Sequence, residues 1–130
     1  MTETAVTPAV PPAVTIVRDF CAAWDRMDWD AVVAALSVDI FYHNIPMAPV
    51  EGIAAFKNFL AGFPVSTAEF EIHHIAGNGN VVMTERTDRF LIAGKRVVIR
   101  VMGVFVIRDG KISEWRDYFD LAEFTSQMPG

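Results

Sequence analysis

Hydrophobic residues recur every three or four positions in the first part of the chain, as they do along one side of a helix. The set consists of Val14, Val17, Phe20, Cys21 and Trp24. It predicts a helix from Val14 to about Arg26. Asp28 can cap a second helix over 29–36, and the same spacing predicts a third helix over 52–61.

The second half of the chain has the alternation of strands instead. A short strand is predicted over 40–44, and longer ones over 67–76, 80–91, 96–108 and 111–121. Glycine-containing turns separate the longer strands, and Asp109-Gly110 is the strongest hairpin signal among them. Helices followed by a meander of strands predict an α+β domain, in which the helices pack on the concave face of a curved antiparallel or mixed sheet.

The strand near residue 100 is apolar on both of its faces. One face carries Val97, Ile99, Val101 and Phe105, and the other carries Val98, Met102, Val104 and Val106. A sheet with one face in water should be polar on that face. Either another element of the chain or a second subunit must therefore cover it. Since the helices are needed on the concave side, we expect a homodimer formed through the convex face.

Three charged residues lie on strand faces that are otherwise apolar. Arg86 and Asp88 share the face of Val82 and Phe90, and Asp117 lies between Trp115 and Phe119 in the alternating pattern. A buried carboxylate is retained only if it is paired and hydrogen-bonded. The pattern therefore predicts a buried Asp-Arg-Asp group, which is a candidate functional site.

Four segments carry a resemblance to a known family. They are F-Y-H-N-I-P (41–46), T-E-R-T-D (84–88), G-V-F (103–105) and W-R-D-Y-F-D-L (115–121). In this order and spacing the chain resembles the limonene-1,2-epoxide hydrolase family, from about Val14 to Phe124. The resemblance implies a cone with a deep pocket, as in nuclear transport factor two and ketosteroid isomerase. It also implies an enzyme that uses no cofactor.

The resemblance further implies a catalytic triad of Arg86, Asp88 and Asp117, with Tyr42 and Asn44 binding a water molecule. The chemistry agrees, because opening an epoxide with water needs one proton delivered to the ring oxygen and one removed from the water. Two carboxyls in opposite protonation states can do both. We expect Asp88 to be the protonated acid and Asp117 the ionised base, with Arg86 bridging them.

The phase of the strands and of the first helix also predicts the substrate-binding wall. It consists of Trp24, Phe90, Ile99, Val101 and Phe119. Such a wall suits a small hydrophobic substrate, such as a terpene, cycloalkene or sterol-derived epoxide. Two alternatives stay open, since this fold hosts unrelated functions. One is an isomerase or polyketide-cyclase-like enzyme, and the other is a non-catalytic module that binds a hydrophobic ligand.

Composition and charge narrow the remaining possibilities. The net charge is −5 and the basic residues are scattered, which argues against nucleic-acid binding. No apolar run reaches the length of about 20 residues that spans a membrane.

Residues 1–13 contain three prolines and are expected to form a flexible tail before a single domain over 14–130. One cysteine and no secretory signal pattern predict a cytoplasmic protein. The three histidines lack the spacing of a metal site.

Overall fold

The computed structural model describes residues 10–128, which form helices on a six-stranded sheet. The helices are α1 (Pro12–Asp25), α2 (Trp29–Ala34), α3 (Ile53–Ala61) and α4 (Leu121–Thr125). The strands are β1 (Leu36–Asn44), β2 (Val50–Glu51), β3 (Val65–Asn78), β4 (Val81–Ile92), β5 (Lys95–Arg108) and β6 (Lys111–Tyr118). The predicted α+β fold with a curved sheet is confirmed. None of the helices within 10–128 has the length and apolarity needed to span a membrane.

The sheet has the strand order β2-β1-β6-β5-β4-β3. The strands β3 to β6 form an antiparallel meander, whereas β1 runs parallel to β6. This parallel pair joins two segments that lie far apart in the sequence. It aligns Tyr42 with Trp115 and Asn44 with Asp117. The sheet is therefore mixed, and its centre brings together residues from both halves of the chain.

The core lies between the concave face of the sheet and the inner side of α1. Phe20 and Trp24 are buried there, and the Phe20 ring meets Trp115 edge-on at 5.0 Å between centroids. Cys21 was predicted to be a buried apolar position. It is buried, and burial raises the pKa of its thiol to about 12. The thiol therefore stays neutral and acts as part of the core.

The ends of several elements differ from the prediction. Helix α1 begins at Pro12, two residues before the predicted start, because proline suits the first position of a helix. Residues 12 and 13 of the tail predicted over 1–13 therefore belong to α1, and its residues 1–9 lie outside the described part of the chain. The short strand β2 was not predicted. The prediction that the last strand extends to residue 121 was wrong, because β6 ends at Tyr118 and Leu121 begins α4.

Candidate active site

Arg86 holds two carboxylates on the concave face of the sheet. Its Nε and Nη2 donate to Oδ1 and Oδ2 of Asp88, at 3.0 and 2.8 Å. Its Nη1 and Nη2 donate to Oδ1 and Oδ2 of Asp117, at 3.2 and 2.9 Å. The side chains of all three residues are almost completely buried. The predicted Asp-Arg-Asp group is therefore present, with both carboxylates bound to a single guanidinium.

Strand register explains why the three groups meet. Arg86 and Asp88 lie two positions apart on β4 and therefore share a face. Gly103 on β5 pairs with Thr84 on one side and with Asp117 on the other. A Cβ atom at Gly103 would lie 2.8 Å from Oδ1 of Asp117 and 2.9 Å from Oγ1 of Thr84, and it would overlap Nη1 of Arg86. A glycine at this position leaves the space in which the guanidinium crosses from β4 to β6.

Two further side chains complete the network, and neither was predicted to bind the charged group. The indole Nε1 of Trp115 donates to Oδ1 of Asp117 at 2.8 Å, and Nη1 of Arg86 donates to Oγ1 of Thr84 at 3.1 Å. Each lies two positions before a charged site residue on the same strand, so it faces the same way. That spacing was the sequence signal that could have placed both residues at the site. The hydrogen bonds themselves depend on side-chain orientation, which the sequence pattern does not give.

The two carboxyls differ in their electrostatic surroundings. Burial raises the pKa of Asp88 to about 6, with the negative charge of Asp117 adding to the effect and the Arg86 guanidinium opposing it. Asp117 accepts three hydrogen bonds, whereas Asp88 accepts two. Burial disfavours the charged form of Arg86, but Asp117 and Asp88 outweigh burial and raise its pKa. The site therefore surrounds Asp117 with more hydrogen-bond donors than Asp88, and burial makes the Asp88 carboxyl easier to protonate than an exposed one.

Tyr42 and Asn44 lie next to Asp117. The Asn44 amide donates to the Tyr42 hydroxyl at 2.9 Å, and the Tyr42 ring stacks on Trp115 at 4.2 Å between centroids. Burial and the charge of Asp117 raise the pKa of Tyr42 above its usual range, so its hydroxyl stays neutral. His43 lies between Tyr42 and Asn44 on β1, so alternation along the strand points it to the opposite face. Its Nε2 donates to the backbone carbonyl oxygen of Met47 at 2.9 Å.

The network forms the polar end of a cavity of about 210 Å³. Asp88, Asp117, Tyr42 and Asn44 line it, together with four of the five predicted wall residues: Trp24, Phe90, Ile99 and Phe119. The remaining lining residues were not predicted and are Met47, Phe59, Phe63, Phe70 and Phe124. Most of these come from α3, β3 and α4 or the segments beside them. The wall is thus apolar and predominantly aromatic.

Val101 is the predicted wall residue that does not line the cavity. It lies on the concave side and is buried, but it pairs with Arg86, whereas Ile99 pairs with Asp88. Alternation along a strand predicts the face of a side chain and not its depth below the cavity. At the position of Val101 along the strands, the Arg86 guanidinium and its two carboxylates occupy the concave side. Val101 therefore packs in the core.

Within residues 10–128, no group of three or more His, Cys, Asp or Glu side chains is placed to hold a metal ion. The two histidines of β3 face other partners instead. His73 Nε2 lies 2.7 Å from the Thr87 hydroxyl, and His74 Nε2 lies 3.8 Å from a carboxylate oxygen of Glu85. The histidines therefore do not converge on the cavity.

Comparisons with known proteins show which family the chain resembles. A sequence model of the limonene-1,2-epoxide hydrolase catalytic domain matches residues 11–130. Epoxide hydrolase EphG of Mycobacterium tuberculosis is 39% identical over 106 residues, which are 81% of this chain and 71% of that protein. The structure of an M. tuberculosis LEH-like epoxide hydrolase superposes with a TM-score of 0.78 and 36% identity, covering 89% of this chain and 88% of the other.

Other solved structures share the fold. A protein from Xanthomonas campestris, provisionally assigned as a polyketide cyclase, has a TM-score of 0.81 and 25% identity, covering 89% of this chain and 96% of the other. An NTF2-like protein of unknown function from Burkholderia pseudomallei has a TM-score of 0.84 and 19% identity, covering 93% and 100%. At that lower identity the likeness concerns the fold alone.

Proposed function

Because this chain belongs to the limonene-1,2-epoxide hydrolase family, we propose that it converts a compact lipophilic epoxide into a vicinal diol by direct attack of water, without a cofactor. The main support is the pair of buried carboxyls that share Arg86 at the polar end of an apolar cavity. One carboxyl has a raised pKa and the other is held by three donors. This difference is what simultaneous acid and base catalysis requires.

In the proposed reaction, Asp117 removes a proton from water while Asp88 delivers one to the epoxide oxygen. The water oxygen forms a bond to one ring carbon as the bond between that carbon and the ring oxygen breaks. Tyr42 and Asn44 position the water beside Asp117, which makes the attack effectively unimolecular. The reaction leaves a proton on Asp117 and none on Asp88. Proton exchange with solvent then restores the starting state.

Cavity size supports a narrower range of substrates than apolarity alone. Sites for drug-sized ligands are about 300–1,000 Å³, whereas this cavity is about 210 Å³. A terpene or cycloalkene epoxide matches that volume better than a sterol-derived epoxide does. Limonene oxide is one member of the favoured size class.

The competing functions make less use of the site. An isomerase or cyclase that abstracts a proton from carbon needs a single base opposite an oxyanion donor. It has no use for an arginine that bridges two carboxyls. A non-catalytic binding module needs the aromatic wall but not a buried ionised pair, which is often neutral or unfavourable for stability. The two carboxyls therefore favour hydrolysis over both alternatives.

A panel of terpene, cycloalkene and sterol-derived epoxides, analysed for diols by mass spectrometry, tests the proposal. We expect diol from the small members, and a loss of 10² or more in kcat for Asp88→Asn and for Asp117→Asn, since each removes a proton-transfer group. A single turnover in heavy-oxygen water should label the diol and not the protein. Label in the peptide that contains Asp117 would instead indicate a covalent intermediate.

The same proposal includes a homodimer formed through the convex face of the sheet. On that face Met83 is 50% exposed, Val98 40% and Met102 48%. Met83 pairs with Val104, and Met102 pairs with Tyr118, so apolar side chains of three neighbouring strands are adjacent. Contiguous exposed apolar surface of this kind is typical of subunit interfaces.

A further inference from the structure

Aromatic rings around the cavity contact one another in a closed circuit. It runs through Trp24, Phe70, Phe90, Phe63, Phe59 and Tyr42 and closes through Trp115, with neighbouring centroids 4.2–6.0 Å apart. Six of these seven residues line the cavity. Phe119 and Phe124 form a separate pair on its wall, with centroids 6.1 Å apart. Each lining ring is therefore held in place by at least one other ring.

The apolar lining of the cavity is almost entirely aromatic. Only Met47 and Ile99 among its apolar lining residues are aliphatic. The core beside it mixes aliphatic side chains, such as Val97 and Ile112, with buried rings such as Phe105. Leucine or isoleucine would supply comparable apolar surface at lower volume. The use of rings at the cavity therefore points to recognition that depends on their shape and charge distribution.

We propose that the epoxide accepted by this site carries an aryl ring, and that water attacks the carbon bonded to that ring. This inference rests on the proposed hydrolase function. Aromatic rings attract one another edge-to-face, and each such contact favours an aryl group about two- to tenfold beyond its buried area. Phe63 meets Phe90 at 73° and Phe119 meets Phe124 at 71°, so rings of the wall already pack edge-to-face with one another.

The reaction itself gives a second reason. When Asp88 protonates the epoxide oxygen, positive charge develops on the ring carbon whose bond to oxygen is breaking. An aryl substituent delocalises that charge, and neighbouring ring faces attract it through cation–π interactions. The wall already shows this type of contact, because the Arg86 guanidinium carbon lies 4.7 Å from the Phe70 centroid. Water then forms its bond at the aryl-bearing carbon, and the ring oxygen leaves that carbon with the proton from Asp88.

The volume is also suitable. A water molecule takes about 30 Å³, so the nucleophilic water leaves roughly 180 Å³ of the cavity of about 210 Å³. At ordinary packing density this holds on the order of ten non-hydrogen atoms. A phenyl ring bearing an epoxide has nearly this size, whereas a fused polycyclic substrate exceeds it.

The test compares phenyloxirane with cyclohexyloxirane, which have the same carbon skeleton but differ in aromaticity. Each enzymatic kcat/KM is divided by the uncatalysed rate in the same buffer, which removes the greater intrinsic reactivity of the aryl epoxide. We expect a corrected preference of about tenfold or more for the phenyl compound. Heavy-oxygen water should place its label on the aryl-bearing carbon of the diol.

Variants of the wall provide the matched comparison. Phe63→Leu and Phe119→Leu each remove a half-buried ring, so the chain should still fold, and each should lower the corrected preference by about two- to tenfold. Met47→Leu alters the same wall without removing a ring and should leave the preference near that of the parent. An equal loss for both substrates in the Phe variants would overturn the inference.

The failures of the two proposals are distinguishable. Diol formed from both compounds with no corrected preference in the parent enzyme overturns the aryl inference and leaves the hydrolase function intact. Label on the terminal carbon of the phenyl diol also overturns the inference. Absence of diol from both compounds and from the epoxide panel refutes both proposals.

Discussion

At the residue scale, the position of one proton decides how the site works. Burial of Asp88 disfavours its carboxylate more than Arg86 stabilises it, so its pKa lies at about 6, above the ordinary value of 3.8. If Asp88 is the general acid, kcat/KM should fall as pH rises through this value, by up to tenfold per unit. We expect a decline from about pH 6 upwards, measured against enzyme-free blanks. A rate that stays level or increases between pH 6 and 8 would contradict the assigned role.

Stability should follow the same group. Because the pKa of folded Asp88 lies above its unfolded value, the folded state binds more protons between those two values. The contribution of Asp88 to the free energy of unfolding is therefore largest at low pH. It decreases as pH rises from about 4 through about 6. Asp88→Asn lacks this titration, so its stability relative to the parent should improve over that range. Urea unfolding at several pH values measures the difference.

Sequence patterns predicted the charged residues of the site but not their full environment. Alternation along β4 and β6 is regular around Arg86, Asp88 and Asp117, so facing could be deduced from position. The depth of a side chain below the cavity could not be deduced from position. Val101 was therefore assigned to the cavity wall, although it does not line the cavity. The indole of Trp115 was expected to provide apolar surface. Its hydrogen bond to Asp117 depends on a rotamer that the one-dimensional pattern does not specify.

At the element scale, α4 and the turn after it cover the edge of β5 that β6 leaves free. The Gln127 side chain accepts from the Val98 backbone N–H at 2.8 Å and donates to the Val98 carbonyl oxygen at 2.7 Å. These are the two bonds that a residue of a neighbouring strand would make. Glu123 accepts from the backbone N–H of Arg100 at 2.9 Å. The two side chains thus hold the segment that carries Phe124 against the sheet.

We predict that Gln127→Ala raises KM with little change in kcat. It removes the two hydrogen bonds to Val98, each worth about 1 kcal/mol net, and a third to the Glu123 carbonyl oxygen, so α4 should detach more often and the cavity should lose part of its wall. The increase in KM should be about tenfold at most, and amide exchange at Val98 should become faster. Ser126→Ala, at the adjacent exposed position, is the control. A fall in kcat without a change in KM would mean that α4 acts on the chemistry instead.

The sequence did not predict α4 for an identifiable reason. The alternation that ends at Tyr118 continues in register through Phe119 and Leu121, so the pattern favours an extended strand. The opposing signal was Asp120, whose Oδ1 caps the helix by accepting from the Ala122 N–H at 2.9 Å. A helix of five residues is too short to be stable alone. Its stability depends on contacts with β5, which local sequence does not encode.

At the scale of the whole molecule, the order of elements predicted the fold class because glycine turns and strand lengths define a meander. The placement of β1 beside β6 was different. Its parallel pairing joins segments about 70 residues apart, from Tyr42 to Trp115. Nothing in either segment alone specifies this partner. The resemblance of the chain to a known family supplied the association of Tyr42 and Asn44 with Asp117 before the structure showed it.

The convex face gives the prediction for the assembled molecule. We expect light scattering after size exclusion to give twice the mass of the 14.4 kDa chain. Met102→Lys should shift the protein toward the monomer, because burying an unpaired ammonium at the interface is unfavourable. Val38→Lys is the matched control, since Val38 is 82% exposed and lies on β1, two strands away from β5. A parent protein that elutes as a monomer at micromolar concentration would refute the dimer. A dimer that persists in Met102→Lys would place the interface on another surface of the molecule.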